Sequence, residues 1–393
     1  MRRHITTVAI WTASGACCLL LCLACSEAGA PYTETVHDGI RVRTYSTQFS
    51  VPTNPYTVVP DVVFGTDQGE DTYLFRYVSP LGVGTDGSVL LRSGSVYRFT
   101  ADGSFIGKIG ASGQGPGEFS GSSSVLLDSD LLYVYDLNGR RRTVFDLSGT
   151  VLEMTPSPTD WGGSATGQHH PTAYAGSRQD RRTLGIRSVR SSMTNTFSFG
   201  IELRGPDMAR RGSLIDTAFA YPVTMVGGNS VWPAFTIGFT AYALANDLPV
   251  AWSRGETFRV DFIDPLDRSK WAVVIPHEAI PVTSAHRETY LTGRYEQRGL
   301  VGEARREIRF PDTMPHLESM LWDDTGRLWV LEYRYEEDAS APLRYFVFDQ
   351  QGTWLFVQTL PGAAGRIIGD QVFISGELET GDPVVRSYRL EEG

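Results

Sequence analysis

Along most of the chain, apolar and polar residues alternate in short runs separated by glycine-bearing pairs. "GTDGSVLLRSGSVYRF" (84–99), "LLYVYDLNGRRRTVFD" (131–146) and "DDTGRLWVLEY" (323–333) all follow this pattern. A period of two is that of a half-buried strand, and Asp86-Gly87, Asn138-Gly139 and Thr325-Gly326 are turn pairs between such strands. "FTADGSFI" (99–106), "FDLSGTVL" (145–152) and "FDQQGTWL" (348–355) align without gaps. In each, a glycine (Gly103, Gly149, Gly352) supplies the positive φ that a tight hairpin needs. The first two copies lie 46 residues apart, the span of one four-stranded propeller blade. No sustained helical period separates the strands, which argues against an α/β architecture.

The stretch "GASGQGPGEF" (110–119) is rich enough in glycine to suggest a phosphate cradle. Such a cradle needs a following helix whose N-terminal N–H groups face the anion. Here "SSSVLLDSDLLYVYD" follows and reads as strand, so the stretch is a corner between two blades, stiffened by Pro116. The β pattern breaks at 281–310. Thr283 or Ser284 can cap a helix there, Ala285, Leu291, Leu300 and Ala304 have mixed helical spacing, and Pro311 and Pro315 end the insertion. We place it between the fourth and fifth blades. The last run, "VVRSYRLEEG", leaves the sixth blade one strand short, and "GIRVRTYSTQFSV" (39–51) has no blade of its own. The pattern therefore predicts that residues 38–52 close the last blade.

The corner "GASGQGPGEF", the F-x-x-x-G turns and "DDTGRLWV" together resemble the six-bladed β-propeller lipoproteins of bacteria, relatives of NHL-repeat proteins. The likeness is strongest over 61–155 and 308–360. It implies an all-β fold of six four-stranded antiparallel blades, carrying the short helical insertion near 281–310. Fold alone does not assign an activity.

Charge and the N-terminus narrow the setting. With 35 basic and 45 acidic residues, a formal charge of −10 argues against nucleic acid or anionic lipid as a partner. Basic runs such as "GRRRTV" are read as protected strand edges. Arg2 and Arg3 precede an apolar stretch from Val8 to Ala24, and all four cysteines (17, 18, 22 and 25) fall in or just after it. This segment resembles a bacterial lipoprotein signal, with "LAC" placing a small residue before Cys25. Cys22 occupies the position where an aliphatic residue is usual. The expected organisation is a signal peptide over 1–24, lipidation at Cys25, a tether over 25–37 and the propeller over 38–393. By the same resemblance, Ser26 favours the periplasmic side of the outer membrane. The mature domain has no cysteine pair, so burial alone must stabilise it.

Candidate chemistry is sparse. The histidines at 4, 37, 169, 170, 277, 286 and 316 form neither H-x-H nor H-E-x-x-H, and no metal site is expected from them. They also do not recur at matching blade positions, as they do in amidating-lyase propellers. Adjacent His169 and His170 are the best pair, although neighbouring strand residues face opposite ways. Glu118, Asp128, Asp323 and Asp324 are the carboxylates that would hold calcium by analogy with lactonase-type propellers; otherwise no cofactor is expected. Arg76, in "YLFRYVSP", is a candidate channel cation. A tryptophan at a channel mouth would stack on a sugar or grip a peptide. The candidate binding residues are therefore Arg76, His169, His170 and Asp323. The favoured reading is a monomeric, noncatalytic envelope propeller that binds a protein, peptide or glycan and meets the membrane through its lipid anchor alone. The rival is a metal-assisted lactonase- or lyase-like enzyme with its site in the central channel.

Overall fold

The computed structural model describes residues 31–66, 73–120, 123–136, 138–156, 162–163, 167–176, 182–191, 196–205, 210–222, 224–231, 235, 241–335 and 341–393. The antiparallel hairpins predicted by the alternation are present, and six sheets form a propeller. Blade one holds Ser79–Val83, Val89–Ser93, Ser95–Phe99 and Phe105–Ile109, and blade two runs from Ser123 to Pro156. Blade three spans Gly162 to Pro222 with five strands, and blade four spans Ala241 to Val274. Blade five is Leu317–Trp322, Leu328–Glu332, Leu343–Phe348 and Trp354–Leu360. Blade six begins with Ala364–Ile368, Gln371–Glu377 and Pro383–Glu392. The inner strands of blades one and two, two and three, four and five, five and six, and six and one touch one another, and all six blades line the central channel. Between blades the core is sealed by clusters such as Leu90, Ile109, Phe119, Leu132 and Phe145, all almost fully buried.

One turn recurs because one side chain organises it. Asp146, Asp323 and Asp349 each accept the backbone N–H groups two and four residues ahead through Oδ1. The hairpin then closes with Gly149 and Gly352 at φ of 88° and 80°, a region costly for other residues. The 110–119 stretch is a corner, as its sequence implies: Gly115 donates to Glu118 Oε2 at 2.7 Å, and Phe119 is buried against Phe145. The insertion forms α1 (Ser284–Tyr295) and α2 (Val301–Glu307) between blades four and five, with Thr283 and His286 making a capping box.

The N-terminal segment departs from the expected course. β1 (Tyr32–His37) and β2 (Ile40–Tyr45) form a hairpin, and β2 lies parallel to Lys270–Val274 on the outer edge of blade four. Residues 32–37 are thus strand, where a tether was expected. The chain then crosses the outer edge of blade five, where Asn54 N bonds Val357 O at 2.7 Å and Val357 N bonds Pro52 O at 2.9 Å. β3 (Tyr56–Phe64) finally pairs antiparallel with Pro383–Glu392 as the fourth strand of blade six. The closing strand is therefore 56–64 and not 38–52. Its nine residues match the long strand beside it, and Pro60 is tolerated because it sits at a register shift on an outer strand. Residues 40–45 are held elsewhere because Val42 and Tyr45 are buried at blade four.

This course makes two truncations distinguishable. In protein lacking the leader, removing residues 31–45 should lower the melting temperature by a few degrees and leave the ring closed. Removing 31–64 should abolish cooperative melting or solubility. Phe64→Ala should cost about 3–5 kcal/mol, because Phe64 is buried against Phe99 and Phe373. Equal melting of the two truncations would contradict closure by β3.

Candidate functional site

Two legs of chain join blades four and five to the helical insertion, and each leg carries a proline followed by a histidine. Pro276-His277 leaves blade four, and Pro315-His316 enters blade five. Two backbone bonds lace the legs together, Met314 N to Ile280 O at 2.8 Å and Val282 N to Asp312 O at 2.8 Å, and His316 N is fixed to Gly255 O in a blade-four turn at 3.0 Å. The imidazoles are thereby held side by side, with Nδ1 of His277 2.8 Å from Nδ1 of His316. His277 Nε2 lies 2.6 Å from Oε1 of Glu332, the last residue of its strand. Arg344 Nη1 sits 3.3 Å from the same carboxylate oxygen, and its guanidinium stands over the Phe346 ring at 4.7 Å. Phe258 packs against His277 at 5.2 Å between ring centres.

The charge states follow from burial and neighbours. Burial pushes the His316 pKa down, and the charge of His277 adds to the effect, so His316 is neutral at pH 7. Burial pushes Glu332 up, but the hydrogen bond from His277 and the positive charge of Arg344 outweigh it, leaving the carboxyl below its ordinary value. Ionised Glu332 therefore accepts from His277 Nε2–H, and the two Nδ1 atoms share one proton between them. Both His277 nitrogens are engaged inside the protein, on opposite sides of one ring. The groups cannot converge on a single metal ion, and among the described residues no cluster of His, Cys, Asp or Glu suits one.

Beside this cluster opens a cleft of about 730 Å³, walled by Ser46, Thr47 and Phe49 of the N-terminal segment and by Pro276, His277, Glu278, Ile280, Glu332, Arg344, Phe346 and Trp354. Phe346 and Trp354 stack at 5.6 Å with 30° between their planes, and Phe49 meets Trp354 at 5.9 Å. Arg344 uses Nη1 on Glu332, and its Nε and Nη2 have no partner among the described residues. The cleft thus presents an aromatic wall beside a cation with unused donors.

The residues expected from sequence lie apart from it. Arg76 is exposed in a bend before blade one and does not line the channel. His169 and His170 occupy successive positions in Gly167–Ala175, opposite Arg187 and Ile186, and their side chains fall outside the described residues, as does Cys25 entirely. Asp323 does line the channel, but its carboxylate is consumed by Thr325, Arg327 and Trp329 Nε1. Asp324 accepts Gly369 N, while Glu118 serves the distant corner. The sequence signal missed is the repeated Pro-His, at 276–277 and 315–316, flanking the insertion.

A family model agrees with the architecture. Residues 85–163 match a family model described as a 6-bladed beta-propeller, which bears out the resemblance seen in the sequence. No curated protein matches. Among solved structures, the chain is similar to a protein of Bacteroides fragilis described as exported, at 10% identity and a TM-score of 0.48 over 89% of this chain and 99% of that one. It is also similar to a luciferin-regenerating enzyme, at 10% identity and TM-score 0.40 over 86% and 97% of the two chains. A third is BamB of Moraxella catarrhalis, at 10% and 0.33 over 86% and 99%. No helix among the described residues is long and apolar enough to cross a membrane.

The cluster should leave a pH signature. His316 lies below its ordinary 6.5 and Glu332 below 4.5, so the unfolded chain binds protons more readily at both sites. The stability each contributes is present above those values and is lost as pH falls through the folded ones. The melting temperature should therefore decline on acidification from pH 6.5, and His316→Gln should flatten the first part of that decline. Superimposable wild-type and H316Q profiles just below pH 6.5 would contradict the assignment.

Proposed function

We propose that the protein is a cell-envelope binding module that holds an extended, anionic peptide in the cleft between blades four and five. The observation carrying this reading is Arg344, poised over Phe346 with two donors unused beside the wall of Phe49 and Trp354. An apolar side chain fits the aromatic wall, and a carboxylate fits the guanidinium fork. Glu332 holds Arg344 from one side, and the histidine pair holds Glu332. That use of both His277 nitrogens favours positioning over acid–base turnover, and so favours binding over the enzymatic rival. A glycan bearing a carboxylate is the alternative ligand, and the binding assay separates the two.

Peptides ending in an apolar residue with a free carboxylate should bind, and their amidated forms should bind far more weakly. Arg344→Gln should weaken binding roughly 10- to 100-fold, since a hydrogen bond to a charged group contributes about 1.5–3 kcal/mol. Equal affinity for free and amidated peptides, or an R344Q protein of unchanged affinity, would sink this reading. Uronic-acid oligosaccharides binding where peptides fail would assign the glycan instead.

The envelope placement rests on the leader and on Cys25. Several acyl chains on one cysteine would make attachment stable. Seven residues from Cys25 to the residue before β1 reach at most about 25 Å, which would keep the blade-four edge near the membrane surface. Cys25→Ser should release the protein into the soluble periplasmic fraction or leave an unprocessed precursor. A wild-type mature N-terminus at Pro31 would exclude the anchor.

A further inference from the structure

The central channel holds a cation that the cleft does not use. All six blades contribute to a channel cavity of about 710 Å³, and blade six contributes Arg366 from its inner strand. Arg366 Nε donates to Leu81 O of blade one at 3.1 Å, and Nη1 makes a long 3.4 Å contact with Gly365 O. Nη2 has no partner, and no carboxylate pairs with Arg366, among the described residues. Arg366 is exposed to solvent along the channel, and desolvation by the surrounding protein lowers its pKa with no opposing carboxylate. It stays charged at any ordinary pH.

The backbone around it is tightly fitted. A Cβ on Gly365 of blade six would come within 2.7 Å of Pro80 of blade one. The seam between blades six and one is therefore close, and it fixes where the guanidinium stands. The nearby acids are committed: Asp323 to its turn and to Arg327, Asp324 to Gly369 N. Across the channel, Tyr242 lines the same cavity, half-buried, with a hydroxyl that has no hydrogen-bond partner among the described residues. A solvated guanidinium with a donor to spare, latched in place at the wall of a channel, is suited to receive an anion. The latch to Leu81 needs one donor, and the other edge of the fork faces the cavity.

We propose that Arg366 is the seat of a second site, which binds a small oxyanion, carboxylate or phosphate, inside the channel. The free edge of the guanidinium offers two parallel N–H groups, the geometry that a carboxylate or phosphate accepts. Inside a channel walled by protein this attraction is screened less than on the open surface. This site is independent of the cleft and stands whether or not a peptide binds there.

The test uses the full mature chain with two probes, inorganic phosphate and acetate, at constant ionic strength set with chloride. Arginine modification by phenylglyoxal, mapped by mass spectrometry, reads Arg366 in the wild-type protein. At ten times the dissociation constant, a bound anion should slow modification at Arg366 about tenfold and leave exposed Arg76 unaffected. The melting temperature should rise with the same anion in wild type, and Arg366→Gln should lose that rise. If R366Q does not fold, the protection experiment decides alone. Protection by phosphate only, by acetate only or by both assigns the anion and supports the site. Failure of both to protect Arg366, or a full thermal shift retained in R366Q, overturns it.

Discussion

The pairing of β3 with Pro383–Glu392 is the contact on which the ring depends. A propeller is a circle of sheets, each packed on two neighbours, and its inter-blade cores stay dry only while the circle is complete. β3 joins residues more than 300 positions apart, from Tyr56 opposite Glu392 to Phe64 opposite Val385. It also covers the edge that blade six would otherwise expose. Its approach is secured before it arrives. The segment is pinned to blade four through β2 and to blade five through Pro52 and Asn54, so three consecutive blades are bound by one strap. Tyr45 accepts Trp354 N at 2.7 Å, tying the strap to the first residue of the outer strand of blade five.

The cleft inherits its shape from that strap. Ser46, Thr47 and Phe49 form one wall, and blades four and five supply the others. Ring closure and the cleft therefore share residues, and a loosened strap would open the cleft as well as the ring. On the far side of the cluster, the helical insertion returns the chain so that two Pro-His legs meet. The channel site lies at the other critical place, the seam between blades six and one, where Arg366 spans the join.

The fold was legible because its signals are local. Alternation, D-x-x-G-x turns and the helical insertion each lie within one continuous stretch of sequence, and each appears where its sequence lies. The closing strand was not legible because Pro60 reads as a break within "YTVVPDVVF", and only an outer-strand position makes it harmless. The site was hidden for a different reason. His277, His316, Glu332 and Arg344 are scattered along the chain and converge only through the packing of two blades. Asp323 drew attention as a ligand, but the motif that reveals its hairpin also spends its carboxylate on the turn.

Hydrogen exchange across the closing strand is the most direct test of this account. If β3 completes the ring, its paired amides and those of Pro383–Glu392 should exchange together, at the rate of global opening and more slowly than the β1–β2 hairpin. Rapid exchange of β3 in a protein whose blade six stays fully protected would show that the ring holds without it.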